Sequence, residues 1–171
     1  SPRTLTDTIF KGEFKYSDLF KLYKYENTLM FIKLTPEEID SYLEYSYSNW
    51  FNTMETKGDH LLKFRYDENG NVLKNSYGKP ILAEPYYNFD SASGIDYTVD
   101  ISKEPGNRVE INWQDWNPGV GYTHVALNSY RANGGGGHLT QGAGINPDSI
   151  NSRIFFSSTY DMRYEIMRWM E

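Results

Sequence analysis

The chain has 171 residues, 17 Lys+Arg against 23 Asp+Glu, and a formal net charge of -6. That length suits one domain with a full core of its own, and the acidic balance argues against a general basic surface for nucleic-acid polymers. With no cysteine in the chain, disulfides, thiol catalysis and cysteine zinc sites are excluded, and no apolar run approaches membrane-spanning length.

The first elements are read from apolar spacing. Residues 1–11 lack periodicity and form a lead-in segment, and the Ser1 start suggests a fragment or processed form. Leu19, Phe20, Leu22 and Tyr23 predict a short helix over Tyr16–Tyr23. The apolar run Leu29-Met30-Phe31-Ile32 predicts a buried strand over Thr28–Leu34. Thr35, Pro36 and Glu38 supply N-cap, N1 and N3 of a capping box, and Ile39, Leu43, Tyr47 and Trp50 form the apolar stripe of a helix ending near Phe51.

Further along, Asn52–His60 reads as a polar loop, Asp67-Glu68-Asn69-Gly70 as a hairpin turn between 61–66 and 71–74, and Gly78-Lys79-Pro80 as a break. Ile95, Tyr97, Val99 and Ile101 alternate with polar residues and predict a strand. Arg108–Trp113 predicts its hairpin partner, and Thr123–Leu127 a further short strand. Asn133-Gly134-Gly135-Gly136-Gly137 reads as a flexible loop. Ser158 and Asp161 read as a capping box for a last helix with Met162, Ile166 and Trp169 on its apolar face. Without regular β-α-β alternation, the class is α+β.

The sequence offers no catalytic centre. His60, His124 and His138 lack metal-ligand spacing, Asp59-His60 reads as a solvated pair in a polar loop, and no G-x-S-x-G occurs. His138 and Leu139 after Gly137 exclude a Walker A loop. The glycines are open to three readings: an anion cradle of backbone N–H groups, a sharp bend, or clearance for a ligand ring to approach the backbone. Aromatics reach 16%, with 15 Tyr, 9 Phe and 4 Trp, which suits a surface that stacks on flat rings.

Four segments in order carry a resemblance. They are Leu22-Tyr23-Lys24-Tyr25-Glu26-Asn27-Thr28-Leu29, Ser93-Gly94-Ile95-Asp96-Tyr97, Pro105-Gly106-Asn107-Arg108-Val109 and Asn128-Ser129-Tyr130-Arg131-Ala132-Asn133-Gly134-Gly135. Over residues 12–171 the chain resembles the C-terminal domain of the 5'-nucleotidase and 2',3'-cyclic-nucleotide 2'-phosphodiesterase family. The resemblance implies a mixed-sheet α/β/β/α sandwich that recognises the nucleoside of a nucleotide. It also implies a partner: an N-terminal metallophosphoesterase domain in the same chain, which holds two divalent metal ions and hydrolyses the phosphoester. No cofactor is expected in the fragment itself, and the implied location is periplasmic or cell-surface.

The same resemblance implies the site residues. The base would be clamped between Tyr25 and Tyr130, with Asn133, Gly134, Gly135 and Gly136 around it. A ligand-binding arginine of the family maps by ungapped counting to Arg3. Two tyrosines resemble the cyclic-nucleotide branch more than the Phe-Phe pair of many 5'-nucleotidases. Gly136 stands where many relatives carry an Asp that contacts the ribose hydroxyls. Two alternatives remain at this point: a carbohydrate-binding module using Trp113 and Trp116, or a docking domain that has lost its ligand.

Overall fold

A computed structural model describes residues 8–114 and 121–170. Its elements follow from local signals. Helix α1 (Tyr16–Leu22) opens with the Asp18 carboxylate accepting from the Lys15 amide at 2.9 Å, and it buries Leu19 completely. Strand β1 (Thr28–Leu34) leads into helix α2 (Pro36–Trp50), where Thr35 Oγ1 accepts from the Glu38 amide and the Glu38 carboxylate accepts from the Thr35 amide. The capping box is therefore present as the sequence predicts.

Residues between α2 and the next strand form an irregular region of short bridges. Tyr66 pairs with Val72 and Lys74 with Pro80, so the Asp67–Gly70 turn is present and Gly78 makes a second reversal rather than a mere break. Strands β2 (Asp96–Val99) and β3 (Val109–Asn112) pair antiparallel as the predicted hairpin. Strand β4 (Thr123–Asn128) runs directly into a single-turn helix, α3 (Ser129–Ala132).

Two expectations are corrected. The glycine loop is wound rather than flexible: a 3-10 turn over Gly135–Gly137 is followed by a π turn over His138–Gly142. Beyond it lie helix α4 (Pro147–Arg153), capped by Asn146, and an eight-residue strand, β5 (Ile154–Asp161), before helix α5 (Met162–Met170). Ser158 therefore sits inside a strand and caps nothing. Its hydroxyl accepts from the Leu29 amide and donates to the Tyr160 carbonyl, while Asp161 takes the cap by accepting from the Tyr164 amide at 3.0 Å.

β1 is the centre of an antiparallel sheet ordered β4-β1-β5. Among the described residues every pairing between named strands is antiparallel, so the α+β class holds while the sheets are not mixed in direction. Ile32 and Leu34 of β1 join Val125, Leu127 and Ile154 on one sheet face. There they meet Ile39, Tyr42 and Leu43 of α2 and Leu139, Ile145 and Ile150 from the segment after the glycines. At ~1.5–3 kcal/mol per buried aliphatic side chain, this cluster fixes the glycine turn against α2.

The hairpin is attached to the same helix by a buried carboxylate. Glu44 accepts from the Val109 amide at 2.6 Å and from the Gly106 amide at 3.0 Å. Arg108 is buried beside it, donating to the carbonyls of Lys103 and Phe51 and to Thr53 Oγ1. These are the residues of the Pro105–Val109 segment, and their role here is to hold a loop on a helix.

Candidate functional site

Tyr25 lies in the loop between α1 and β1. Tyr130 lies in α3, and both rings stay open to solvent, at 43% and 42% exposure. Each packs edge-on against a third ring, Tyr87, which lies in a 3-10 turn (Tyr86–Asn88) and is 38% exposed. The centroid separations are 6.5 Å for Tyr25–Tyr87 and 6.3 Å for Tyr87–Tyr130, with planes at 66° and 82°. Two tyrosines distant in sequence thus share one neighbour on one surface.

Hydrogen bonds between the motif segments bring them there. Tyr23 Oη accepts from Asn27 Nδ2 at 2.9 Å and from Asn128 Nδ2 at 3.3 Å. Ser129 Oγ accepts from the Thr28 amide at 3.1 Å and donates to Asn27 Oδ1 at 3.3 Å. Net, the Tyr23–Thr28 and Asn128–Tyr130 segments are stitched to each other beside the rings they carry. The Tyr25 hydroxyl is also 3.4 Å from that of Tyr86, and Lys24 Nζ sits 5.3 Å from the Tyr25 centroid. Hydrogen bonding to Tyr86, then burial, raises the Tyr25 phenol above its ordinary range.

The support beneath the rings is an ion pair that sequence reasoning missed. Arg131, buried next to Tyr130, donates through Nε and Nη2 to the Asp90 carboxylate at 2.5 and 3.1 Å. It also donates to the Tyr87 carbonyl at 3.0 Å and the Gly135 carbonyl at 2.8 Å. Asp90 accepts from the Tyr42 hydroxyl at 2.6 Å, and its backbone exchanges two hydrogen bonds with Ser46 Oγ. Burial pushes the Asp90 carboxyl up, but the Arg131 guanidinium and the Tyr42 hydroxyl outweigh it and hold it below the ordinary range. An Asp after Tyr-Tyr-Asn-Phe carried no pattern that marks such a partner.

Gly135 and Gly136 are required by the protein's own packing. A Cβ at Gly135 would lie 2.5 Å from the Tyr130 carbonyl oxygen and 2.6 Å from its ring. One at Gly136 would overlap Arg131 Nη1 and stand 2.6 Å from Asn88 Oδ1, and Gly136 has a φ of +73°. Gly134 and Gly137 also adopt left-handed backbone, and Asn133 is exposed at the end of α3. The Asp that the resemblance implies at this position has no room at Gly136 in this arrangement.

The other candidates separate from this surface. Arg3 and Trp116 fall outside the described residues. Trp113 packs half-buried against the core and, with Tyr97 and Ile111, lines an open groove on the β2–β3 hairpin to which neither Tyr25 nor Tyr130 contributes. Asp59 closes its own turn by accepting from the Glu55 and Thr56 amides. Among the described residues no group of three or more His, Cys, Asp or Glu could hold a metal ion, so these residues do not fit the two-metal centre that the resemblance assigns to another domain. No described helix is long and apolar enough to cross a membrane.

Fold and surface together define an α+β domain with a solvent-open face of tyrosine rings. The chain belongs to the family of the 5'-nucleotidase C-terminal domain, whose model matches residues 1–142. It is 28% identical over 160 residues to the trifunctional nucleotide phosphoesterase protein YfkN of Bacillus subtilis, covering 83% of this chain and 10% of that protein. Its fold matches a Staphylococcus aureus chain assigned to the 5'-nucleotidases and solved in complex with alpha-ketoglutarate, with a TM-score of 0.61 at 17% identity over 90% of this chain and 26% of that one. The chain thus spans about a tenth of the YfkN length and about a quarter of the solved chain.

Proposed function

We propose that this domain recognises the nucleoside of a nucleotide by stacking the base on Tyr25 and Tyr130. The observation that carries this is the convergence of both rings, solvent-open, on Tyr87. The resemblance to a nucleotide phosphoesterase supports the substrate class. In the whole protein the domain would present its nucleotide to a metallophosphoesterase domain with two divalent ions, at a periplasmic or cell-surface location. Both 5'-monophosphates and 2',3'-cyclic nucleotides suit a site that reads the base by its faces.

Stacking contributes ~1–3 kcal/mol per base contact. Two faces give roughly 2–6 kcal/mol, so the chain alone should bind nucleosides at millimolar concentration or more weakly over most of that range. The test is an NMR titration with adenosine that follows tyrosine ring protons. Shifts at Tyr25 and Tyr130 are the expected result, and shifts confined to other residues, or none, would overturn the proposal. Shifts centred on Trp113 with an oligosaccharide, and none with adenosine, would favour the carbohydrate-binding alternative instead.

A further inference from the structure

We infer that Tyr87 is a third, specificity-determining ring of the ligand surface, reading the edge of the base whose faces Tyr25 and Tyr130 cover. The inference rests on the stacking proposal above and extends it to a residue outside all four motif segments.

Three observations converge on it. The first is orientation. Tyr87 stands at 66° to Tyr25 and at 82° to Tyr130, with centroids 6.5 and 6.3 Å away, so it lies crosswise to both rings and touches each by an edge contact. A planar ligand lying along either flanking ring therefore directs its rim, not its face, at Tyr87.

The second is rigidity. The Tyr87 carbonyl accepts from buried Arg131, the Asn88 amide closes the turn on the Pro85 carbonyl at 2.8 Å, and Asp90 is locked to Tyr42 and Ser46. The same guanidinium holds the Gly135 carbonyl, and Gly135 is the residue packed on the Tyr130 ring. Tyr87 and Tyr130 are thus positioned by one side chain, which keeps their separation fixed before any ligand arrives.

The third is chemistry. Ring faces read every base alike, since each base has a π-face. Bases differ along their edges, in length and in donor–acceptor pattern. A crosswise ring at the rim of the flanking pair is suited to sense the difference in length. The bicyclic purine extends farther along the flanking rings than a pyrimidine does. The chemistry therefore points to a purine nucleoside as the ligand that reaches Tyr87.

The test compares adenosine with uridine on the full chain, by NMR titration of the unmodified protein, Tyr25→Ala, Tyr87→Ala and Tyr87→Phe. Tyr87→Ala should weaken adenosine by about three- to tenfold, the range of one aromatic edge contact, and leave uridine nearly unchanged. Tyr87→Phe should keep most of the adenosine affinity. In the unmodified chain the Tyr87 ring protons should shift with adenosine and stay put with uridine, a reading that needs no variant to fold. Unchanged adenosine binding in Tyr87→Ala, or equal losses for both nucleosides, overturns the role of Tyr87. If Tyr25→Ala still abolishes binding in that case, the stacking proposal stands. Failure of the unmodified chain to bind either nucleoside overturns both.

Discussion

Arg131 grips Asp90 through two nitrogens, and the pair joins α3 to the loop that carries Tyr87. Removing one partner of a buried pair leaves the other charge without compensation, which costs ~3–5 kcal/mol. Asp90→Ala should therefore lower the unfolding free energy read from urea titrations by an amount in that range. It should also release the Tyr42 hydroxyl and the 3-10 turn. A change below ~1 kcal/mol would mean that the pair does not hold the site together.

The glycine turn makes a sharper prediction. Gly135→Ala drives a methyl into the Tyr130 carbonyl and ring, both of them fixed parts of α3. The variant should lose nucleoside binding through displacement of Tyr130 and lose ~1–3 kcal/mol of stability. Gly136→Asp should also destabilise, because it meets Arg131 and Asn88 at a left-handed φ of +73°. Crystal structures and melting curves of both variants check this. An unshifted Tyr130 in Gly135→Ala would contradict it.

His138 predicts an acid-side stability loss above the carboxylate range. The ring is buried between Tyr42 and Tyr45, with Nδ1 facing the Gly136 carbonyl at 3.1 Å. Burial first, then the nearby Arg131 charge, push its pKa from 6.5 down to about 4. Between those values the unfolded chain takes up a proton that the folded chain refuses. Stability should thus be full above pH ~6.5 and fall as pH drops toward 4, by on the order of 3 kcal/mol. Loss of the Asp90 ion pair adds to this only at lower pH, because its carboxyl titrates below 3.8. His138→Asn should flatten the profile between pH 6.5 and 4 in denaturant titrations. An unchanged slope would assign the loss to other groups.

The Tyr25 loop depends on α5. Arg163 is buried beneath it, donating to Asp161 at 2.6 Å and to the Lys24 carbonyl at 3.4 Å, with its guanidinium 4.4 Å from the Phe20 centroid. The Met162 amide donates to the Asn27 carbonyl at 2.7 Å. Arg163→Leu should speed amide exchange in residues 23–27 and weaken nucleoside binding, while exchange around Tyr130 stays as before. Uniform acceleration across the chain would show a global effect instead.

How much of this was legible in the sequence varies by element. α2 was plain because its start carries three concordant signals, Thr35, Pro36 and Glu38, and the structure forms all of them. β5 was hidden because Ile154-Phe155-Phe156-Ser157-Ser158 does not alternate. Phe155 and Phe156 both pack near Phe31 while Ser158 serves the β1 backbone, so burial there does not follow a period of two. The motif segments led to Tyr25 and Tyr130 through resemblance. Tyr87 and Asp90 were invisible because what selects them is contact with α3 and α2, elements far away along the chain, and no local pattern encodes that.

The seat of Tyr25 on α5 bears on how the molecule comes into being. Its loop is steadied by atoms at Met162 and Arg163, the latter 139 residues beyond Lys24 along the chain. Closing that span carries a loop-entropy cost, so the ring stays unseated until α5 has docked. The proposed ligand surface is therefore complete only once α5 is in place.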